Sequence, residues 1–248
     1  MDEHLESPGL LFADLTRELR AQGLKTVLDI VANHTSPGWT MPEKQPGFGQ
    51  LFDAQGTLIA DHGNLPPPEL DPENNPLHRF YNTKADLAQL ADLNGENPAV
   101  MDHLVDAYLH WIDQGVDAFR IDTIRHQRLP FWKEFSGRIR AKHPGFFMFG
   151  EAFDYEAKNI APFTWPENGG VSVLDFPVKQ ALSEAVGPKA AGFEGLVEAL
   201  ALEDGPYQNP YDLMTFYDNH DMARLDATDE GFIDAHHWLF TARGTPVI

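Results

Sequence analysis

Short runs rich in β-branched and aromatic residues alternate with helical patterns along most of this chain, and that alternation restricts its fold more than any other feature. KTVLDIV (25–31), the run from 116 to 122, FFMFGE (146–151), VSVLDF (171–176), LMTFYD (213–218) and TPVI (245–248) read as strands. Helical patterns lie between them. Leu11, Leu15 and Leu19 recur every four positions and give one apolar helix face that ends near Gly23. A longer helix opens with Asn97 as N-cap and Pro98 in its first turn, and closes at Gly115. Further helices are expected over 130–142, 177–186, 193–203 and 231–243.

Strands separated by helices pair in parallel and are covered on both faces. Six such strands are present, whereas a closed parallel barrel needs eight. The expected fold class is therefore α/β: an incomplete (β/α)8 TIM barrel, approximately strands three to eight, beginning in the second barrel helix and stopping within the eighth strand. A doubly wound open sheet is the alternative, but no glycine-rich phosphate turn accompanies these strands. From Ser36 to about Leu93 the alternation stops in favour of Pro, Gly, Asn and Asp, as in LPPPELDPENNP. That is too long for an ordinary loop. It reads as an irregular subdomain, 36–94, inserted after the third strand, with 1–35 and 95–248 forming the partial barrel.

Composition excludes several partners. Lys and Arg total 18 against 38 Asp and Glu, a net charge of −20, which repels nucleic acid and anionic membranes. An acidic surface of this kind also fits a high-salt setting. Cysteine is absent, so disulfides and thiolate metal sites are ruled out. No run approaches the ~18 apolar residues of a spanning helix, and the opening MDEHLESPG is too polar for a visible signal peptide.

In a parallel barrel the working groups gather at the carboxyl ends of the strands. Those ends carry Asn33 and His34, then Arg120, Asp122 and His126, then Glu151, then Asn219, His220 and Asp221. Arg120 and Asp122 lie two apart on a strand and so project from one face. Taken singly, each of these residues has an ordinary structural explanation; three carboxylates at equivalent strand ends do not. Three convergent carboxylates suit glycoside chemistry, in which one is the nucleophile and a second, its pKa raised by crowding, donates a proton. A barrel metallohydrolase built on the histidines is disfavoured, because neither His-x-His nor His-Glu-x-x-His occurs.

VLDIVANH (27–34), DAFRIDTIRH (117–126), MFGEAF (148–153) and FYDNHD (216–221) resemble the four signature segments of the α-amylase family of glycoside hydrolases, and QLADLN (89–94) resembles a fifth. The resemblance implies Asp122 as nucleophile, Glu151 as general acid/base and Asp221 as stabiliser of the transition state. It implies that His34 and His220 bind sugar hydroxyls, that Arg120 orients the nucleophile, and that Arg125, His126 and Phe153 line the leaving-group side. It also implies a structural Ca2+ held by Asn33, Asp92 and the backbone carbonyl of His126, all hard oxygen donors. The implied activity is retaining hydrolysis of α-1,4-glucosidic bonds in starch-type glucans, in an extracellular or periplasmic setting.

Two features bear on the alternatives of transglycosylation and of an inactive glucan-binding fragment. Ala88 stands where the family's cyclising transferases carry an aromatic ring, which favours hydrolysis. Phe153 matches a ring of transferring members. Position 125 is Arg where many amylases have Lys, so charge is kept and geometry is not. Trp39, Phe48 and Trp165 lie in expected loops and are read as packing residues.

Overall fold

The computed structural model describes residues 11–40, 47, 49–189 and 192–248; Phe48 and the acidic opening segment lie outside them. The chain runs through α1 (Phe12–Ala21), β1 (Val27–Val31), β2 (His34–Thr35), β3 (Leu51–Phe52), β4 (Leu58–Ala60) and β5 (Ala91–Asp92). It continues with α2 (Pro98–Asp113), β6 (Ala118–Asp122), α3 (Leu129–Lys142), β7 (Phe147–Gly150), α4 (Ala157–Ile160) and β8 (Ser172–Val173). The last elements are α5 (Phe176–Val186), α6 (Glu194–Ala199), β9 (Met214–Thr215), α7 (Asp229–Thr241) and β10 (Thr245–Pro246).

Strands β1, β6, β7 and β8 form a parallel sheet in that order. A parallel bridge between Leu174 and Met214 carries the sheet on to β9, which pairs in parallel with β10. The six expected strands thus form one parallel arc, their carboxyl ends on a common rim. On β6, Phe119 and Ile121 point into the helical layer and are fully buried, so Arg120 and Asp122 take the opposite face. Outside this arc, β2 and β5 pair antiparallel, and between them in the chain lies a second small antiparallel ribbon, β3–β4.

Local chemistry explains the borders. The Asn97 side chain accepts from Ala99 N at 3.0 Å to start α2, and Val100, Met101, Leu104, Val105 and Ile112 bury one face of that helix. The helix stops at Gly115, whose φ is +100° and where a Cβ would stand 2.4 Å from Thr16 Oγ1. Asp175 caps α5 through Val178 N.

Four expectations need correction. Leu11 and Leu15 face solvent, at 70% and 53% exposure. Helix α1 is instead held by Phe12, edge-on to Trp111 at 5.2 Å, and by the Thr16 hydroxyl, which donates to Gln114 O at 2.6 Å. Coverage of both sheet faces fails at β1, where Val27 and Val31 are exposed on the edge strand. The strand expected over 171–176 ends early, because Asp175 turns out of the sheet to cap α5 and Phe176 opens that helix as a buried ring. Helix α6 is likewise shorter than expected. Trp39 and Trp165 do pack: Trp39 lies edge-on to His62 at 5.2 Å, and Trp165 Nε1 donates to Pro206 O at 2.8 Å. No helix among the described residues is long and apolar enough to cross a membrane.

Candidate active site

Arg120 is the hub of the rim. Its Nη1 lies 2.8 Å from Asp122 Oδ1 and 2.9 Å from Asp29 Oδ1, and its Nη2 lies 2.8 Å from Glu151 Oε2 and 3.3 Å from Asp221 Oδ2. One buried guanidinium therefore gathers carboxylates from β1, β6, the end of β7 and the loop after β9. Burial opposes its charge, but Glu151, Asp29 and Asp122 outweigh that and raise its pKa further. Asp29 was not singled out from sequence. The signal was present: it is an acidic residue in an apolar strand, and the parallel register pairs it with Arg120.

Asp122, Glu151 and Asp221 each place an oxygen within 4.8 Å of the other two. Such a cluster could hold a metal ion, but Arg120 already supplies a cation to all three. One cation does not neutralise four carboxylates. The Glu151 pKa is raised, first by burial and then by Asp122 and Asp221, against the downward pull of Arg120. Glu151 is fixed from the main chain, its N–H donating to Ile121 O at 2.8 Å and so extending the ladder past β7. Gly150 before it must lack a Cβ, which would stand 2.4 Å from Ile124 Cδ1. After Asp122 the chain reverses through Thr123, a β-branched residue at φ +50°, a strained conformation typical of functional turns. Asp221 is set by its own N–H donating to Asn219 Oδ1 at 3.0 Å.

A cavity of about 540 Å3 opens over these groups, lined by Arg125, His126, Phe153, Asp86, Leu87 and Met222 as well as by Glu151 and Asp221. A larger groove, about 1100 Å3, lies between β3–β4 and α2, away from the carboxylates. His220 is exposed, with Nε2 3.1 Å from Asp221. His34 is half-buried, its Nδ1 has no partner among the described residues, and burial lowers its pKa despite Asp122 and Asp92 nearby. His126 Nδ1 lies 2.7 Å from Asp86 Oδ2. Arg125 bonds the Phe153 carbonyl and lies 3.1 Å from Asp154, two partners not foreseen from sequence.

Asn33 and Asp92 are buried side by side, Asn33 Nδ2 donating to Asp92 Oδ1 at 3.0 Å. The other Asp92 oxygen accepts from Asp86 N at 2.5 Å. A buried carboxylate with only neutral donors is costly. Turning the Asn33 amide over would present two oxygens side by side, a donor set that fits a hard cation.

A parallel barrel rim on which three carboxylates converge around one arginine defines a class: a barrel enzyme working by carboxylate chemistry. A family model, the α-amylase catalytic domain, matches residues 73–248, and the chain belongs to that family. It is 32% identical over 253 residues to the cyclomaltodextrin glucanotransferase of Geobacillus stearothermophilus, covering 96% of this chain and 34% of that protein. A Niallia circulans enzyme of the same name is 31% identical over 253 residues, with the same coverage of 96% and 34%. The chain thus spans about a third of the length of the curated relatives it matches. Among solved structures, a cyclomaltodextrin glucanotransferase with a three-domain ABC distribution aligns with TM-score 0.78 and 31% identity, covering 96% of this chain and 50% of that one. The α-amylase of Geobacillus thermoleovorans, complexed with acarbose, aligns with TM-score 0.68 and 26% identity, covering 95% and 51%. The six-stranded arc is accordingly part of a (β/α)8 barrel.

Proposed function

We propose that this chain carries the active site of a retaining glycosidase that cleaves α-1,4-glucosidic bonds of starch-type glucans or maltooligosaccharides. The observation that carries the proposal is the spacing of Asp122 and Glu151, oxygens within 4.8 Å. Retaining enzymes hold their two carboxyl groups ~5–5.5 Å apart, and inverting ones leave a wider gap for water.

In the first step Asp122, oriented by Arg120 at 2.8 Å, attacks the anomeric carbon. The glycosidic C–O bond breaks, and Glu151 passes its proton to the departing oxygen. Burial and like charge hold that proton on Glu151 beforehand. In the second step Glu151 takes a proton from water, which displaces Asp122 with a second inversion. Asp221, His220 and His34 would bind hydroxyls of the sugar at the cleavage point. Arg125, His126 and Phe153 would face the leaving group.

The inserted unit, 36–94, would form the wall over this rim. A Ca2+ held by Asn33, Asp92 and the His126 carbonyl would neutralise Asp92 and tie the insert to the end of β1. Transfer to a second sugar in place of water is the other reading. It is favoured by the named activity of the two curated relatives and by the exposed Phe153 ring at the cleft, and opposed by Ala88.

The test is product analysis by NMR on maltooligosaccharides, with the full-length protein beside its Glu151→Gln variant. Retained anomeric configuration and a fall in turnover of about a thousandfold are expected. Inverted products, or turnover untouched by the substitution, would refute the assignment.

A further inference from the structure

Arg125 stands on the leaving-group side, yet its guanidinium is already engaged. Its Nη1 donates to the Phe153 carbonyl and lies 3.1 Å from Asp154 Oδ2. Asp154 is itself fixed: Oδ1 accepts from Glu156 N at 2.8 Å, and Oδ2 accepts from Asn159 Nδ2 at 3.0 Å. The Glu156 N–H, followed by the Asn159 amide and Arg125, holds the Asp154 carboxyl below the usual range although burial opposes it, so the partner of Arg125 is an anion.

The segment these bonds hold needs holding. Residues 151–156 follow β7 with no regular structure, and they carry both Glu151 and Phe153. The Phe153 ring is 52% exposed at the cleft, resting edge-on against Phe176 at 4.9 Å and Tyr155 at 5.6 Å. Arg125 comes from the turn after β6, so its two bonds join the β6 and β7 loops across the leaving-group side. A planar guanidinium can satisfy a carbonyl and a carboxylate together, whereas an ammonium on a flexible stem holds neither in fixed geometry.

We propose that Asp154 is a positioning residue: through Arg125 it clamps segment 151–156 to the β6 loop and fixes the Phe153 ring as the wall for the sugar beyond the cleavage point. This rests on the glycosidase reading above. Asp154 therefore governs binding of the leaving-group sugars and not the bond-breaking step, and Arg125 serves as a strut before it serves as a ligand.

Two substrates separate the effects in the full-length protein: a maltooligosaccharide that extends past the cleavage point, and maltosyl fluoride, whose single-atom leaving group does not. Asp154→Asn should raise KM for the oligosaccharide about tenfold, the value of one charged hydrogen bond. It should change kcat/KM for the fluoride by less than about twofold. Arg125→Lys should raise the oligosaccharide KM similarly, and the double variant should lose no more than either single one. Equal loss on both substrates, no loss on the oligosaccharide, or additive losses would each overturn the clamp. Thermal melts show whether each variant is folded, and Asp154→Glu, which keeps the charge, should recover part of the lost affinity. A wild-type protein that turns over neither substrate would count against the glycosidase reading; turnover without the split would count against the clamp alone.

Discussion

Arg120 decides the character of the site, because its four carboxylate partners come from four places in the chain. Asp29 reaches the guanidinium through Nη1, lies 4.0 Å from His220 Nε2 by its other oxygen, and stands outside the trio of converging oxygens, so its effect is to hold these partners in place. Asp29→Asn should lower kcat/KM about tenfold, on the scale of one charge-assisted hydrogen bond, and steady-state kinetics check it. Glu151 makes a pH prediction. Its pKa is raised, so the protonated acid survives above the ~4.3 of a solvated glutamate, and activity is lost only as pH rises through the raised value. The basic limb of kcat/KM should lie above that reference and vanish in Glu151→Gln with a fluoride substrate. A limb at the solvated value would show that burial does not tune this group.

At the scale of elements, the ends of the arc depend on a buried ion pair. Asp175, at the N-terminus of α5, is paired with Arg243 beyond α7, and Arg243 also donates to Leu200 O at 2.8 Å. Arg243→Ala would leave a fully buried carboxylate without its cation, which costs about 3–5 kcal/mol. Denaturant unfolding checks it; a loss under about 1 kcal/mol would place the pair at solvent-like strength. This element also shows what was legible in sequence. The six strands were, because β-branched runs between helices have few other solutions, and so were the carboxylates at their ends. The early end of β8 was not, because VSVLDF reads as one continuous strand and only the three-dimensional position of Asp175 makes it a cap. The apolar face of α1 misled because Phe12 and Thr16 found partners on α2 and at its end. Asp29, Asp86 and Asp154 were missed because they act on arginine and histidine partners 29 to 91 residues away in the chain, a range that local pattern does not encode.

Over the whole molecule, the net charge of −20 works against compactness. Raising salt from low ionic strength to ~0.15 M, where screening acts within ~8 Å, should raise the melting temperature. The proposed Ca2+ site predicts that a chelator lowers it, because Asp92 would then be buried without an offsetting cation. A melt indifferent to chelation would remove the calcium site while leaving the catalytic assignment intact. The central claim is that Asp122, Glu151 and Asp221 form one double-displacement site, and it is tested most directly by trapping the covalent intermediate. Full-length protein treated with a slowly turned-over fluorinated maltosyl fluoride, then digested and measured by mass spectrometry, should carry one sugar adduct on the peptide containing Asp122, absent from Asp122→Asn. An adduct on any other residue, or inverted product with no adduct, would contradict it.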